Sequence, residues 1–251
     1  MENLFIIAGA QRSGTTFLYH ILDAHPEIYM AKPIKPEPKF FCNSEEYCLG
    51  KEYYINKYFS VSDQYRAYGE KSTSYMTTKD TPINIYRMFP KAKLIFLLRN
   101  PIERAISNYW FSVKNKLETE SFEYAIKNEE KRLMENPMPG FSNHPFAYLT
   151  RGKYVTFIYE FFKYFPRENI LFIRTEDLMD SLLIQIKKIY TFLNVSSNFV
   201  PNIESNKVNT AEREENVLTM ELKNYLIEYF RNYNRELEKL IDIDLSEWNR
   251  L

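Results

Sequence analysis

Residues 4–25 constrain the fold more than any other part of the chain. Leu4-Phe5-Ile6-Ile7-Ala8-Gly9 is a short unbroken apolar run closed by glycine, the pattern of a strand buried on both faces of a parallel sheet. From Thr15 onward, Phe17, Leu18, Ile21 and Leu22 recur at helical spacing. Strand, glycine-containing turn and helix in that order make a βα unit. Its turn directs backbone N–H groups at an anion, at the positive end of the helix dipole.

The rest of the chain repeats the alternation. Lys93-Leu94-Ile95-Phe96-Leu97-Leu98 reads as a second buried strand that stops at Arg99, and Pro101 stands where a helix starts. Residues 169–174 form a third strand candidate after a helical stretch at 154–165, and a weaker one lies at 68–70. Helices are expected at 82–88, 121–135, 182–193 and 217–241, with polar connections at 135–145 and 196–215. Strands alternating with helices predict a three-layer α/β/α fold with a central, mostly parallel sheet, like that of P-loop nucleoside triphosphate hydrolases. At 251 residues, one domain spanning 1–251 is expected.

Composition excludes several partners. Lys plus Arg equals Asp plus Glu, 33 each, so no global basic field points to nucleic acid. Cys42 and Cys48 cannot build a disulfide framework and have no zinc spacing, so free thiols are expected, with a single bridge as the alternative. No apolar run reaches the ~18 residues of a membrane span, and the start of the chain lacks a secretory pattern. A cytoplasmic protein without a membrane partner is the expectation.

Gly9-Ala10-Gln11-Arg12-Ser13-Gly14-Thr15-Thr16 has the spacing of the phosphate loop G-x-x-x-x-G-K-[ST], with Thr15 in place of the lysine. The N–H groups of Arg12, Ser13, Gly14, Thr15 and Thr16 can still ring a phosphate. The ammonium that reaches a triphosphate is lost, and a cation, Arg12, has moved into the loop. The second strand ends in Arg99, where nucleotide hydrolases place an aspartate for magnesium. Both changes fit a donor with one 5′-phosphate, another phosphate elsewhere, and no required metal.

Two segments carry a family resemblance. GAQRSGTTFLYHILDAHPEI resembles the 5′-phosphosulfate loop and helix of sulfotransferases that use 3′-phosphoadenosine-5′-phosphosulfate (PAPS). LIFLLRNPIERAISNYW resembles their 3′-phosphate signature, R-[DN]-P-x-x-R-x-x-S-x-Y, with Arg99, Asn100, Pro101, Arg104, Ser107 and Tyr109 in register. YFPRENILFIRTEDL is similar to the family's later strand and acidic turn. The likeness is to the carbohydrate-modifying and bacterial branches. It implies PAPS as donor, adenosine 3′,5′-bisphosphate as product, and Arg99 with Ser107 on the 3′-phosphate. Arginine at a strand's carboxyl end is well suited to that task, because its planar fork matches phosphate oxygens.

The resemblance also implies the remaining roles. Lys32-Pro33-Ile34-Lys35-Pro36-Glu37-Pro38-Lys39-Phe40-Phe41 is similar to the family's E-x-x-F-F segment, making Glu37 the general base. Its prolines hold an extended backbone. Lys39 stands where carbohydrate-acting relatives often have histidine, a place for acceptor contact. Glu70-Lys71-Ser72-Thr73-Ser74-Tyr75 looks like E-K-[ST]-P-x-Y, with Lys71 as the active-site lysine and Thr73 replacing proline. Lys71 and Arg12 would neutralise charge on the leaving oxygen. Tyr154 and Arg213 match family positions near the nucleotide. Altogether the residues point to sulfuryl transfer onto a hydroxyl of a saccharide or other small molecule, in a bacterial cytosolic enzyme. A small-molecule or nucleotide kinase of P-loop type and a non-catalytic nucleotide-binding protein are the competing readings.

Overall fold

The computed structural model describes residues 3–138, 144–202 and 217–250. Five strands form one sheet in the order β2-β3-β1-β4-β5, and every pairing is parallel. They are β1 (Leu4–Gly9), β2 (Ile28–Met30), β3 (Ala67–Lys71), β4 (Lys93–Leu98) and β5 (Ile170–Arg174). The expected α/β class with flanking helices is present, and the sheet is wholly parallel.

The chain divides into two compact units, Met1–Leu98 with Glu160–Val208, and Arg99–Tyr159 with Asn209–Leu251. The first unit holds the sheet. Its helices are α1 (Thr15–Asp23), α2 (Ser44–Tyr47), α3 (Gly50–Tyr58), α4 (Thr81–Met88), α9 (Thr175–Asp180) and α10 (Leu182–Leu193). Phe5, Ile7, Ile95, Leu97, Leu171 and Ile173 turn one sheet face toward Leu18 and Leu22 of α1, Leu178 of α9 and Ile186 and Leu193 of α10. Each such side chain, fully buried, contributes about 1.5–3 kcal/mol. On the opposite face Phe96 meets Phe161 edge-on at 4.9 Å, near the end of α8 (Tyr154–Phe162). Gly69 in β3 has no substitute: a Cβ there would stand 2.1 Å from the Phe5 ring.

The second unit contains α5 (Pro101–Lys114), α6 (Phe122–Lys127), α7 (Glu129–Glu135), the start of α8, and α11 (Met220–Ile241). Ile102, Ala105 and Tyr109 of α5 share a core with Leu222, Leu226 and Phe230 of α11. Buried Glu118 accepts both guanidinium nitrogens of Arg132, at 2.8 and 2.9 Å, and the Tyr148 hydroxyl at 2.9 Å. Arg104, the second arginine of the R-[DN]-P-x-x-R signature, lies on α5. It is fully buried and donates to Asn108 Oδ1 and the Tyr148 carbonyl.

Several boundaries differ from expectation for local reasons. The helix expected at 121–135 is two, broken at Asn128, whose side-chain amide bonds back to the Tyr124 carbonyl at 2.9 Å. The last helix begins at Met220 rather than 217, because Thr219 caps it by accepting from the Leu222 N–H at 3.1 Å. The weak strand at 68–70 is β3, lying between β2 and β1; glycine and a buried glutamate had masked its apolar pattern. β2, α3 and α9 were not foreseen. Cys42 and Cys48 are free thiols. No described helix is long and apolar enough to cross a membrane.

Candidate functional site

In the first unit, β1 runs directly into the candidate phosphate loop. Gly14 occupies the left-handed region at φ 83°, is exposed, and heads α1 with no side chain capping the helix. Glycine alone enters that region without steric cost. The helix-opening N–H groups of Thr15 and Thr16 therefore have no side-chain cap at their head, the arrangement that suits an anionic group. Arg12 also has positive φ, 67°. Ser13 is buried, and its carbonyl accepts from Thr175 Oγ1 at 2.9 Å, fastening the loop to α9. The Ala10 N–H reaches the Leu97 carbonyl at 2.7 Å, tying the loop to β4.

β3 delivers the second group of residues to the same end of the sheet. Ile7 pairs with Lys71, and the Ser72 N–H continues to the Ile7 carbonyl at 3.2 Å. Lys71 Nζ donates to Glu37 Oε1. The Thr73 N–H donates to Glu37 Oε2 at 3.0 Å, and the Thr73 hydroxyl lies 3.2 Å from the same oxygen. Lys71 is 4% exposed and Glu37 17%, so this ion pair stands largely out of water, with its carboxylate fixed by several donors.

The Glu37 segment is held to the chain that follows β3 at further points. The Lys39 N–H donates to Ser72 Oγ at 2.9 Å, and the Phe41 N–H to Tyr75 Oη at 3.3 Å. Lys39 takes φ 53° and opens a short turn, Phe40–Cys42. Phe40 and Phe41 pack inward against Tyr54, at 4.8 and 5.0 Å between centroids. Lys71 thus meets Glu37 directly. Thr73, read only as a departure from a motif, supplies donors to the carboxylate. Its signal in the sequence was the missing proline.

Arg99, in the second unit, has its guanidinium 3.3 Å from Glu103 Oε2. Its carbonyl accepts from the Tyr154 hydroxyl at 2.9 Å, so buried Tyr154 fixes the backbone from which the arginine departs. Asn100 caps α5 through the Ile102 N–H at 2.9 Å, and Pro101 opens the helix. Ser107, half-buried, lies two helical turns beyond Asn100. Arg213 lies outside the described residues.

The family model for the sulfotransferase domain matches residues 2–247. The chain is 30% identical over 191 residues to heparan sulfate glucosamine 3-O-sulfotransferase 5 of Mus musculus, covering 76% of this chain and 53% of that protein. It is 26% identical over 322 residues to the membrane-associated sulfotransferase kil1 of Dictyostelium discoideum, covering 98% of this chain and 66% of that one. The chain therefore spans between half and two thirds of the length of these relatives. The crystal structure of a sulfotransferase from Alicyclobacillus acidocaldarius shares the fold with a TM-score of 0.81 at 28% identity, covering 100% of this chain and 99% of that one.

Proposed function

The chain belongs to the sulfotransferase domain family, and from that premise we propose that it moves the sulfuryl group of PAPS onto an acceptor hydroxyl, with residues 1–251 acting as a single sulfotransferase domain. One observation carries the reading: a largely buried carboxylate, Glu37, is gripped by Lys71 and Thr73 at the sheet end that also carries the uncapped phosphate loop. A carboxylate so oriented is equipped to take a proton, and a ring of N–H groups is equipped to hold a 5′-phosphosulfate.

In this reading the Glu37 carboxylate removes the acceptor's hydroxyl proton. The acceptor oxygen forms the new bond to sulfur while the bond between sulfur and the bridging phosphate oxygen breaks, and adenosine 3′,5′-bisphosphate leaves. The loop residues Arg12 to Thr16 bind the 5′ end, and Arg12 and Lys71 offset charge on the departing oxygen. Arg99 and Ser107 take the 3′-phosphate, Arg99 exchanging Glu103 for phosphate oxygens; Tyr154 and Arg213 complete the nucleotide contacts. None of these roles calls for a metal ion. Lys39 contacts the acceptor, for which a saccharide is favoured by the likeness to the heparan sulfate glucosamine 3-O-sulfotransferase. A bacterial, cytoplasmic setting belongs to the same proposal.

Transfer of radiolabelled sulfate from PAPS to a panel of saccharides, lipids and phenols tests the reaction and finds the acceptor. Glu37→Gln is expected to abolish turnover while retaining adenosine 3′,5′-bisphosphate binding. Near-normal turnover in that variant would remove Glu37 from the role. Stabilisation of the fold by adenosine 3′,5′-bisphosphate but not by ATP with magnesium separates this reading from a kinase.

A further inference from the structure

Next to Lys71 along β3 stands a second carboxyl group that the proposed reaction does not use. Glu70 is fully buried on β3, and among the described residues neither of its oxygens closes a hydrogen bond. Neighbours along a strand point to opposite faces, which is why Glu70 is not paired with adjacent Lys71. Instead it faces Tyr54 of α3 and Tyr75, both buried, with Cys42 and Glu37 within electrostatic range. Tyr75 is the residue whose hydroxyl accepts from the Phe41 N–H, four positions beyond Glu37.

An ionised carboxylate in such a place would be unsolvated, with no cation beside it among the groups that act on it and only the Tyr75 and Tyr54 hydroxyls to offset its charge, and it would share the neighbourhood with the charge of Glu37. We propose that Glu70 is a positioning residue for Glu37: buried as an uncharged acid near Tyr75, which anchors the Phe41 N–H, it leaves the Lys71 pair with a single carboxylate and keeps the Glu37 segment seated. The inference rests on Glu37 being the base. Burial is the main reason that the Glu70 carboxyl is pushed up to about 8; the charge of Glu37 acts in the same direction, and the Tyr75 and Tyr54 hydroxyls oppose it. Once Glu70 ionises, its charge repels Glu37 and draws water toward the strand, and the Tyr75 anchor of the Phe40–Cys42 turn loosens.

The pH profile of kcat in wild type and Glu70→Gln tests this, with Glu37→Gln assayed in parallel. The expected wild-type profile declines on the alkaline side, roughly tenfold per pH unit beyond its midpoint, as one inactivating ionisation requires. In Glu70→Gln that decline should vanish, with the KM for PAPS unchanged. Superimposable alkaline limbs, with Glu37→Gln inactive, would overturn the role of Glu70 and leave the base assignment standing. Turnover in Glu37→Gln would overturn both. If Glu70→Gln does not fold, carbon-13 NMR of glutamate-labelled wild type decides. One side-chain carboxyl should titrate far above the ordinary range, and its absence would refute the proposal.

Discussion

The Thr73 N–H lies 3.0 Å from Glu37 Oε2, a hydrogen bond that a proline at position 73 could not make. The Thr73 hydroxyl reaches the same oxygen, so a position that departs from the family motif gives the proposed base two donors besides Lys71. Thr73→Val keeps the N–H and removes the hydroxyl. At about 1 kcal/mol for one such bond, kcat should fall roughly fivefold, with PAPS affinity unchanged. Thr73→Ser should restore the rate. Steady-state kinetics on both variants checks this, and an unaltered kcat in Thr73→Val would show that the hydroxyl does not orient Glu37.

Arg99→Ala should separate the two phosphates of the product nucleotide. A charge-assisted contact of about 1.5–3 kcal/mol predicts a loss of roughly 10–150-fold in affinity for adenosine 3′,5′-bisphosphate. Adenosine 5′-monophosphate, lacking the 3′ group, should bind nearly as before. Calorimetric titration of both nucleotides decides; equal losses would take Arg99 away from the 3′-phosphate.

Glu70 gives the fold a pH dependence of definite sign. Its carboxyl is raised from 4.5 to about 8, chiefly by burial, so the unfolded chain releases this proton first. The stability associated with the neutral acid is complete below about 4.5 and drains away as pH rises to about 8, then levels off. The full swing is about 5 kcal/mol, at 1.36 kcal/mol per pH unit. Urea titrations across that window should show wild type losing stability relative to Glu70→Gln. Parallel curves would contradict an uncharged Glu70.

The Glu118–Arg132 pair should act in the opposite direction. Burial pushes the Glu118 carboxyl up, but Arg132, the Glu120 N–H and the Tyr148 hydroxyl together hold it below the ordinary carboxylate range. Its contribution is present above the unfolded value and lost as pH falls through the lower folded one. Arg132→Met leaves a buried carboxylate without its partner, at a cost of about 3–5 kcal/mol. Denaturation of that variant at neutral pH checks the figure; a loss near zero would mean that Glu118 finds other solvation.

What could be read in advance follows from how far each feature reaches along the chain. The uncapped loop at Gly14, the capped start of α5 at Asn100-Pro101, and the sequence periodicity of β1, α1, β4 and α10 depend on a few neighbouring residues, so the letters show them. β3 was nearly hidden, because Gly69 and Glu70 break the apolar run. Gly69 answers to the Phe5 ring and Glu70 to buried tyrosines, neither of which its own neighbourhood announces. Asn128 was equally silent until its amide was seen to bond back to Tyr124.

The sequence by itself determined a largely parallel α/β fold and marked out a candidate anion-binding turn with Glu37, Lys71 and Arg99 as candidate site residues. Local φ/ψ preferences and side-chain periodicity are written residue by residue. Only the tertiary structure decided that Lys71 and Thr73, 34 and 36 positions away, close on Glu37, and that Glu70 is buried among Tyr54 and Tyr75. Those contacts are set by the register that lays Ile7 beside Lys71, and register is a property of the assembled sheet.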